Sequence, residues 1–218
     1  MRTNSYYWLT FLILSALAAC YPKGANYTEE LDLVYTNYNK DFGFKSVHTF
    51  AISDSVIKIT GQAADDPDGN HRPDMANPTY AAALVNTIKQ SMATYGWTVV
   101  DKNSNPDMII LCATMTTTNI YYYYDWWYWG WYYPGYNPGW GWYYPGWYYP
   151  PYVTGYRSGS AFIQMTLHNP PPGPGENIAV EWNAILNGLA EGSTSSIATR
   201  IQTGVNQAFA QSPYLKIN

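Results

Sequence analysis

The feature that most restricts the fold of this chain is a segment, residues 121–156, built almost entirely from aromatic residues, glycine and proline. It contains 14 Tyr, 7 Trp, 6 Gly and 5 Pro, and Asp125 is its only charged residue. Proline and glycine at this density exclude a helix and any long regular strand. Pro-Gly pairs begin at 134, 138 and 145, where they suit type II turns between aromatic pairs. We therefore expect an aromatic insertion that interrupts a more regular domain.

The aromatic rings of this insertion have more surface area than a small domain needs to form its core. Each Tyr or Trp can bury roughly 150 to 250 Å², so together they represent on the order of 4,000 Å². If half of that area packs internally, about 2,000 Å² remains, whereas the largest patch on a typical monomer covers roughly 300 to 600 Å². We interpret residues 121–156 as a contact surface. The candidate contact residues are Trp126, Trp127, Trp129, Trp131, Tyr133, Trp140, Trp142, Tyr144, Trp147 and Tyr149.

The composition of the insertion leaves three kinds of partner open. Trp and Tyr favour the headgroup depth of membranes, stack on the C–H faces of sugar rings and dominate hot spots of protein interfaces. The insertion has no Lys or Arg, which argues against anionic lipids and single-stranded nucleic acid. The net charge of the chain, −4 at pH 7, also argues against a nucleic-acid partner. The remaining alternative is low-complexity sequence folded back on its own rings and on the sheet edge, without a ligand.

The first 20 residues have the layout of a lipoprotein signal peptide. Arg2 is followed by an uncharged run over 6–19, and the sequence Leu17-Ala18-Ala19-Cys20 closes it. A charged start, an apolar run and small residues before a cleavage site are typical of a secretory signal, and the cysteine makes this site a bacterial lipobox. We expect removal of residues 1–19 and attachment of lipid, including palmitate, to Cys20. The alternative is an ordinary secreted protein whose signal happens to precede a cysteine.

The lipid on Cys20 is the expected membrane anchor. The apolar run is shorter than the roughly 20 residues that a membrane-spanning helix needs. Each buried methylene of an acyl chain contributes about 0.8 kcal/mol, and two or more chains hold a protein stably. Tyr21 is not the aspartate that retains lipoproteins at the inner membrane of some bacteria, which favours the outer membrane, facing the periplasm. Residues 20–30 contain Pro, Gly and Asn without periodicity, so we expect a tether there.

The rest of the chain, residues 31–218, is predicted to form a single α+β domain. Asn77 and Pro78 are a favourable helix start, and apolar residues then recur at three- and four-residue spacing until Gly96. A second amphipathic helix is predicted over about 195–209. Alternating or β-rich runs predict strands at 31–36, 47–52, 56–59, 97–100, 108–115, 161–167 and 178–182. This order predicts an antiparallel β-sheet with both helices packed on one face, interrupted by the aromatic insertion.

The residues outside the insertion point to no catalysis, cofactor or metal. Cys112 lies in step with apolar neighbours in a predicted strand, without the basic setting that a reactive thiol needs. The three histidines lack metal-ligand spacing. Residues 66–70 resemble a calcium loop, but Gly69 is fourth rather than sixth, and Pro78 stands where the glutamate belongs. We expect no enzyme, and an envelope hydrolase stays only as an alternative that would need paired carboxylates or a Cys/His pair.

Several short motifs together resemble one known family. After the lipobox they are Leu31-Asp32-Leu33-Val34-Tyr35-Thr36-Asn37-Tyr38, Thr49-Phe50, Asp107-Met108-Ile109-Ile110, Gly159 and Ala179-Val180-Glu181-Trp182. With a helix between them and a closing helix, this pattern over residues 31–215 is similar to the bacterial envelope lipoproteins of domain of unknown function 4136. The resemblance implies an α+β sandwich without an established activity, and it supplies no catalytic residues. The turn at 170–175 lacks the acidic residues often seen there in that family.

The combined expectation is a lipid-anchored lipoprotein of the cell envelope with a non-enzymatic binding or scaffolding role. Its membrane contact is the lipid on Cys20, and residues 121–156 contact an envelope protein or a glycan. The first alternative is a glycan- or peptidoglycan-binding module that stacks sugar rings on the Trp and Tyr side chains of the insertion.

Overall fold

The computed structural model describes residues 32–59, 74–115, 142–143, 159–168, 178–189 and 193–217. These residues form a mixed β-sheet and two long helices. The helices are α1, Pro78–Thr94, and α2, Thr194–Ala210. The strands are β1 Leu33–Tyr38, β2 Thr49–Ile52, β3 Ile57–Ile59, β4 Thr98–Val99, β5 Met108–Met115, β6 Trp142–Tyr143, β7 Ser160–Leu167 and β8 Ile178–Asn187. Short 3-10 turns occupy Phe44–Ser46 and Pro213–Leu215.

The strand order across the sheet is β1-β8-β7-β5-β2-β4, with β3 beside β5 and β6 beside β8. Neighbours among β1, β8, β7 and β5 pair antiparallel. In contrast, β2 and β3 pair parallel with β5, β4 pairs parallel with β2, and β6 pairs parallel with β8. The α+β class is therefore confirmed, but the prediction of an antiparallel sheet is wrong for β2, β3 and β4, and β6 is a strand that was not predicted. Parallel neighbours need a long crossover connection, and α1 supplies one between β2 and β4.

The two helices lie where the sequence predicts them, within two residues, because their ends are encoded locally. Asn77 Oδ1 accepts a hydrogen bond from the backbone N–H of Thr79 at 2.9 Å, and Pro78 occupies the first turn of α1. Gly96, with φ 95°, follows the last turn in the left-handed conformation that glycine adopts without strain. At the start of α2, Ser193 Oγ accepts a hydrogen bond from the backbone N–H of Ser196 at 3.3 Å. Both helices therefore begin with a side-chain cap.

Both helices bury their apolar sides in one core together with one side of the sheet, which we call the helix face. The helix face consists of Phe50, Ile52, Met108, Ile110, Cys112, Ala161, Ile163, Met165, Trp182, Ala184 and Leu186. α2 approaches β8 closely at Gly204, where an added Cβ would lie 3.2 Å from a methyl carbon of Leu186. Only a residue without a side chain allows this approach without movement of Leu186.

A β-bulge in β8 changes which side chains face the helices. Met165 pairs with Trp182, but the next residue, Thr166, pairs with Val180, so Glu181 is the extra residue. Trp182 therefore lies on the helix face, whereas Val180 lies on the opposite side together with Thr166. Simple alternation would place residues 180 and 182 on the same side of the sheet.

The other side of the sheet, which we call the second face, is buried as well. Its side chains alternate with those of the helix face along the strands. It consists of Ala51, Ile57, Ile109, Leu111, Ala113, Ser160, Phe162, Gln164, Thr166, Ile178, Val180, Asn183, Ile185 and Asn187, each at most 5% exposed. Within the described part of the chain, none of its apolar residues belongs to the core that contains the helices.

Candidate functional site

The residues predicted from the sequence to carry function lie almost entirely outside the described residues. This holds for the lipidation site Cys20, for the signal peptide and tether over 1–30, and for the candidate contact residues other than Trp142. The backbone of Trp142–Tyr143 forms β6, which pairs in parallel with Ile178 and Ala179 at the start of β8. The structure thus brings one point of the aromatic insertion to the sheet, and the contact surface stays a prediction.

The aromatic insertion is connected to the sheet at two neighbouring positions. Met115, the last residue of β5, pairs with Ser160, the first residue of β7. The chain therefore leaves the sheet and returns to it on adjacent antiparallel strands.

The second face contains polar side chains that are buried. Gln164 of β7 lies opposite Asn183 of β8, and at one end of these strands Ser160 Oγ donates a hydrogen bond to Asn187 Oδ1 at 3.1 Å. All four residues are buried. Alternation of such residues with apolar ones is typical of a strand with one solvated side, so sequence reasoning missed their burial.

One carboxylate of the described residues is buried at the bulge. Glu181 is 4% exposed, and its Oε2 accepts a hydrogen bond from Asn39 Nδ2 at 2.8 Å. Burial raises the pKa of the Glu181 carboxyl, and the hydrogen bond from Asn39 opposes this shift. The backbone N–H of Asn39 also donates to the carbonyl of Glu181 at 2.8 Å. Asn39 therefore joins the end of β1 to the bulge.

We expect Glu181→Gln to stabilise the protein at neutral pH. The raised pKa means that the folded protein holds the Glu181 proton more tightly than the unfolded chain, so the wild type loses stability as the pH rises through the folded pKa. Glutamine keeps an oxygen for Asn39 and removes the charge. Denaturant unfolding between acid and neutral pH should show an advantage of the variant that grows with pH. A difference that does not change with pH would contradict the prediction.

Asp107 serves as a control, because its pKa is shifted in the opposite direction from that of Glu181. Its Oδ2 accepts hydrogen bonds from the backbone N–H groups of His48 at 2.8 Å and Thr49 at 2.9 Å, and from Thr49 Oγ1 at 2.8 Å. The N–H of His48 contributes most to lowering the pKa of Asp107, against the effect of burial. Its stabilising contribution is thus present above the unfolded pKa and is lost as the pH falls through the folded one. Asp107 joins the starts of β2 and β5, which is a structural role.

Among the described residues, neither the Cys112 thiol nor the cleft beside α1 shows a catalytic arrangement. Burial raises the pKa of the Cys112 thiol, which is the opposite of what a nucleophile requires. A cleft of about 470 Å³ lies beside the start of α1, and Asp54 is the only ionisable residue among the described residues lining it. Asp54 Oδ1 pairs with Lys89 Nζ at 2.6 Å. In the described ranges, no three His, Cys, Asp or Glu residues are grouped to hold a metal ion, and neither helix has the length and apolar character needed to cross a bilayer.

The solved structures that resemble this chain include a strong likeness and a weak one. Among solved structures, the chain is similar to a DUF4136 family protein from Bacteroides thetaiotaomicron VPI-5482, with 31% sequence identity, a TM-score of 0.62, and coverage of 86% of this chain and 98% of that one. It is also similar to the PelC dodecamer from Paraburkholderia phytofirmans, with 12% identity, a TM-score of 0.35, and coverage of 86% and 99%. The second likeness is too weak to support an argument. No curated protein matches the chain.

The match to a protein family spans nearly all of the described domain. The model of a domain of unknown function, DUF4136, matches residues 34–214, from β1 to the 3-10 turn after α2. The motifs in β1, β2, β5 and β8 predicted this family, and the match confirms it. Because the family model covers most of the chain and a solved member is 31% identical to it, this chain belongs to the DUF4136 family, whose function is unknown.

Proposed function

We propose that this protein is a lipid-anchored lipoprotein of the bacterial cell envelope with a non-enzymatic binding or scaffolding role, and that residues 121–156 form its contact surface. The observation that carries the proposal is the lipobox Leu17-Ala18-Ala19-Cys20 at the end of an apolar signal sequence. Acyl chains on Cys20 attach the mature protein to the membrane, and Tyr21 after the cysteine favours the outer membrane, facing the periplasm. The tether over 20–30 lets the domain act at a distance from the lipid.

The contact role rests on the chemistry of the insertion. Its Trp and Tyr rings combine large apolar area with a hydrogen-bonding edge, which is the composition of interface hot spots. Asp125 is its only charge, so the surface suits a neutral partner such as an envelope protein or a glycan. The pairing of β6 with β8 supports the view that one part of the insertion is held at a defined place on the domain.

The anchor is tested with the two cysteines of the chain. Cells expressing the protein are grown with labelled palmitate, and the label is measured in the wild type, in Cys20→Ser and in the matched control Cys112→Ser. We expect label in the wild type and in Cys112→Ser, and none in Cys20→Ser. Mass spectrometry should find a mature chain that begins at residue 20. An unlabelled wild type, or a chain that keeps its leader, would overturn the proposal.

The contact surface is tested by crosslinking in intact cells. The wild type is compared with a variant in which Trp126, Trp127 and Trp129 are alanine, and with the control variant Trp97→Phe, which changes a buried tryptophan outside the insertion. We expect the triple variant to lose crosslinked partners that the wild type and the control retain. Identical sets of partners in all three proteins would argue against a contact role for these rings.

Glycan binding is the second candidate, because seven Trp residues lie in one segment that is almost uncharged. Flat indole faces stack on sugar rings, and stacking changes the environment that Trp fluorescence reports. We expect peptidoglycan fragments to change the fluorescence of the wild type more than that of the triple variant. Unchanged emission across peptidoglycan and polysaccharide titrations would leave protein binding as the proposed role.

A further inference from the structure

We propose that β1 is an interface at which two copies of this chain pair edge to edge, antiparallel, around a two-fold axis at Tyr35. β1 is the outermost strand at one end of the described sheet, and β8 is its neighbour on the inner side. The outer edge of such a strand presents backbone N–H and C=O groups that can pair with another strand. This self-association goes beyond the proposed function and depends neither on the lipid anchor nor on residues 121–156.

The hydrogen bonds of β1 show which of its backbone groups point outward. Just after the strand, the N–H of Asn39 donates to the carbonyl of Glu181 at 2.8 Å. Backbone polar groups of an antiparallel strand alternate between its two edges, so those of the odd-numbered residues of β1 face β8. The backbone groups of Val34, Thr36 and Tyr38 therefore point away from the sheet. Within the described ranges, no hydrogen bond reaches the outward N–H groups of Val34 and Thr36.

The edge formed by β1 lacks the features that usually prevent pairing with another chain. Natural proteins protect their sheet edges with charges, proline, bulges or very short strands. The edge strand at the other end of the sheet, β4, is short, with only Thr98–Val99. In contrast, β1 has six residues without a charge, proline or glycine, and its pairing with β8 is regular throughout. β1 therefore has the length and composition of an edge that can accept another strand.

A second copy fits this edge because β1 is complementary to itself. With the axis at Tyr35, Val34 of each copy lies opposite Thr36 of the other, and their outward N–H and C=O groups form reciprocal hydrogen bonds. This register leaves the N–H of Tyr38 with Asn37 Oδ1, to which it donates at 2.9 Å. An axis at Thr36 would instead require that N–H for the interface. Because β1 is uncharged, no like charges meet across the axis.

The side chains of the second face support the same register. Tyr35 pairs with Ile185, so its side chain lies on the side of the second face. Across the axis, the two Tyr35 residues form a non-hydrogen-bonded pair with Cα atoms about 4.5 Å apart, a position where aromatic pairs stabilise antiparallel strands. Leu33, which is 49% exposed, lies diagonally opposite Tyr35 of the other copy. The pairing therefore gives an exposed apolar side chain an aromatic neighbour.

The first test uses disulfide formation in the purified full-length protein. Tyr35→Cys is oxidised beside Leu33→Cys, Val99→Cys and the wild type, and crosslinked peptides are identified by mass spectrometry. We expect position 35 to give at least about tenfold more dimer than position 33 or 99, because only its two copies lie within disulfide range. The two copies of position 33 would lie about 14 Å apart. A lack of dimer linked through position 35, or an equal yield at position 33 or 99, would overturn the proposal.

The second test places charges at the axis. In Tyr35→Lys and in Tyr35→Glu, like charges would lie opposite each other, so we expect each variant alone to self-associate at least about tenfold more weakly than the wild type. Mixing the two variants should restore association in sedimentation experiments, because opposite charges then meet, and this recovery also shows that both variants fold. The control Val99→Lys, on the other edge, should associate like the wild type. A monomeric wild type, or a mixture no more associated than its components, contradicts the inference.

Discussion

Replacing Trp182 by alanine is expected to lower the free energy of unfolding by about 3 to 5 kcal/mol, the usual cost of removing a large buried aromatic side chain. Trp182 is 0% exposed, and its ring centroid lies 5.5 Å from that of Phe209 in α2. Its indole Nε1–H donates a hydrogen bond to Ser212 Oγ at 2.9 Å. Alanine would leave a cavity between the sheet and α2 and would remove one of two donors to the buried Ser212 hydroxyl, the other being the hydroxyl of Tyr214 at 3.0 Å.

Two control variants separate the ring from its hydrogen bond. Trp182→Phe keeps most of the packing and removes the N–H donor, whereas Ser212→Ala removes the acceptor and leaves the indole in place. We expect each control to cost about 1 to 3 kcal/mol in urea unfolding followed by circular dichroism, less than Trp182→Ala. A cost below about 1 kcal/mol for Trp182→Ala would show that this residue does not hold α2 against the sheet.

Asp32→Ala is expected to destabilise the protein by about 3 to 5 kcal/mol, because it removes the carboxylate from a buried ion pair. Arg200 of α2 is 5% exposed, and its Nε donates to Asp32 Oδ2 at 2.6 Å. One terminal nitrogen of the same guanidinium donates to Asp32 Oδ1 and to the carbonyl of Gly188. This pair connects α2 to the chain before β1 and after β8. Without the carboxylate, the buried cation keeps the Gly188 carbonyl but loses the negative charge of Asp32.

The matched control for this prediction is the surface ion pair between Asp54 and Lys89. The side chain of Asp54 is 88% exposed, and exposed pairs contribute about 0 to 1 kcal/mol. Asp54→Ala should therefore leave the urea midpoint nearly unchanged. The double variant Asp32→Ala/Arg200→Met should be more stable than Asp32→Ala, because it removes the buried positive charge that Asp32 no longer balances. Equal midpoints for Asp32→Ala and Asp54→Ala would contradict the assigned role of the buried pair.

The sequence predicts those parts of the fold that neighbouring residues encode. The cap at Asn77, the proline after it and the three- and four-residue spacing of apolar side chains locate α1 without knowledge of its environment. Strand positions were predicted in the same way. Strand direction was not, because parallel pairing of β2, β3 and β4 depends on where the chain lies after α1. Local sequence does not contain that information.

Features formed by distant residues escaped prediction. Asp32 and Arg200 are 168 positions apart, and neither has a local pattern that indicates a pair. The bulge at Glu181 reverses an alternation that would otherwise place Val180 beside Trp182. Gln164 and Asn183 have the spacing of solvent-facing residues and are nevertheless buried. Of the candidate contact residues, the structure describes only the backbone of Trp142, so the predicted contact surface awaits the experiments above.

The pairing of Met115 with Ser160 has a consequence for how this domain can diversify. A connection between two adjacent strand ends adds entropy cost only with the logarithm of its length, at about 0.6 kcal/mol for each doubling. On this ground, the pairing of β5 with β7 should tolerate changes in the length of the segment between them. The same position offers protein engineers a site at which one segment can be exchanged for another.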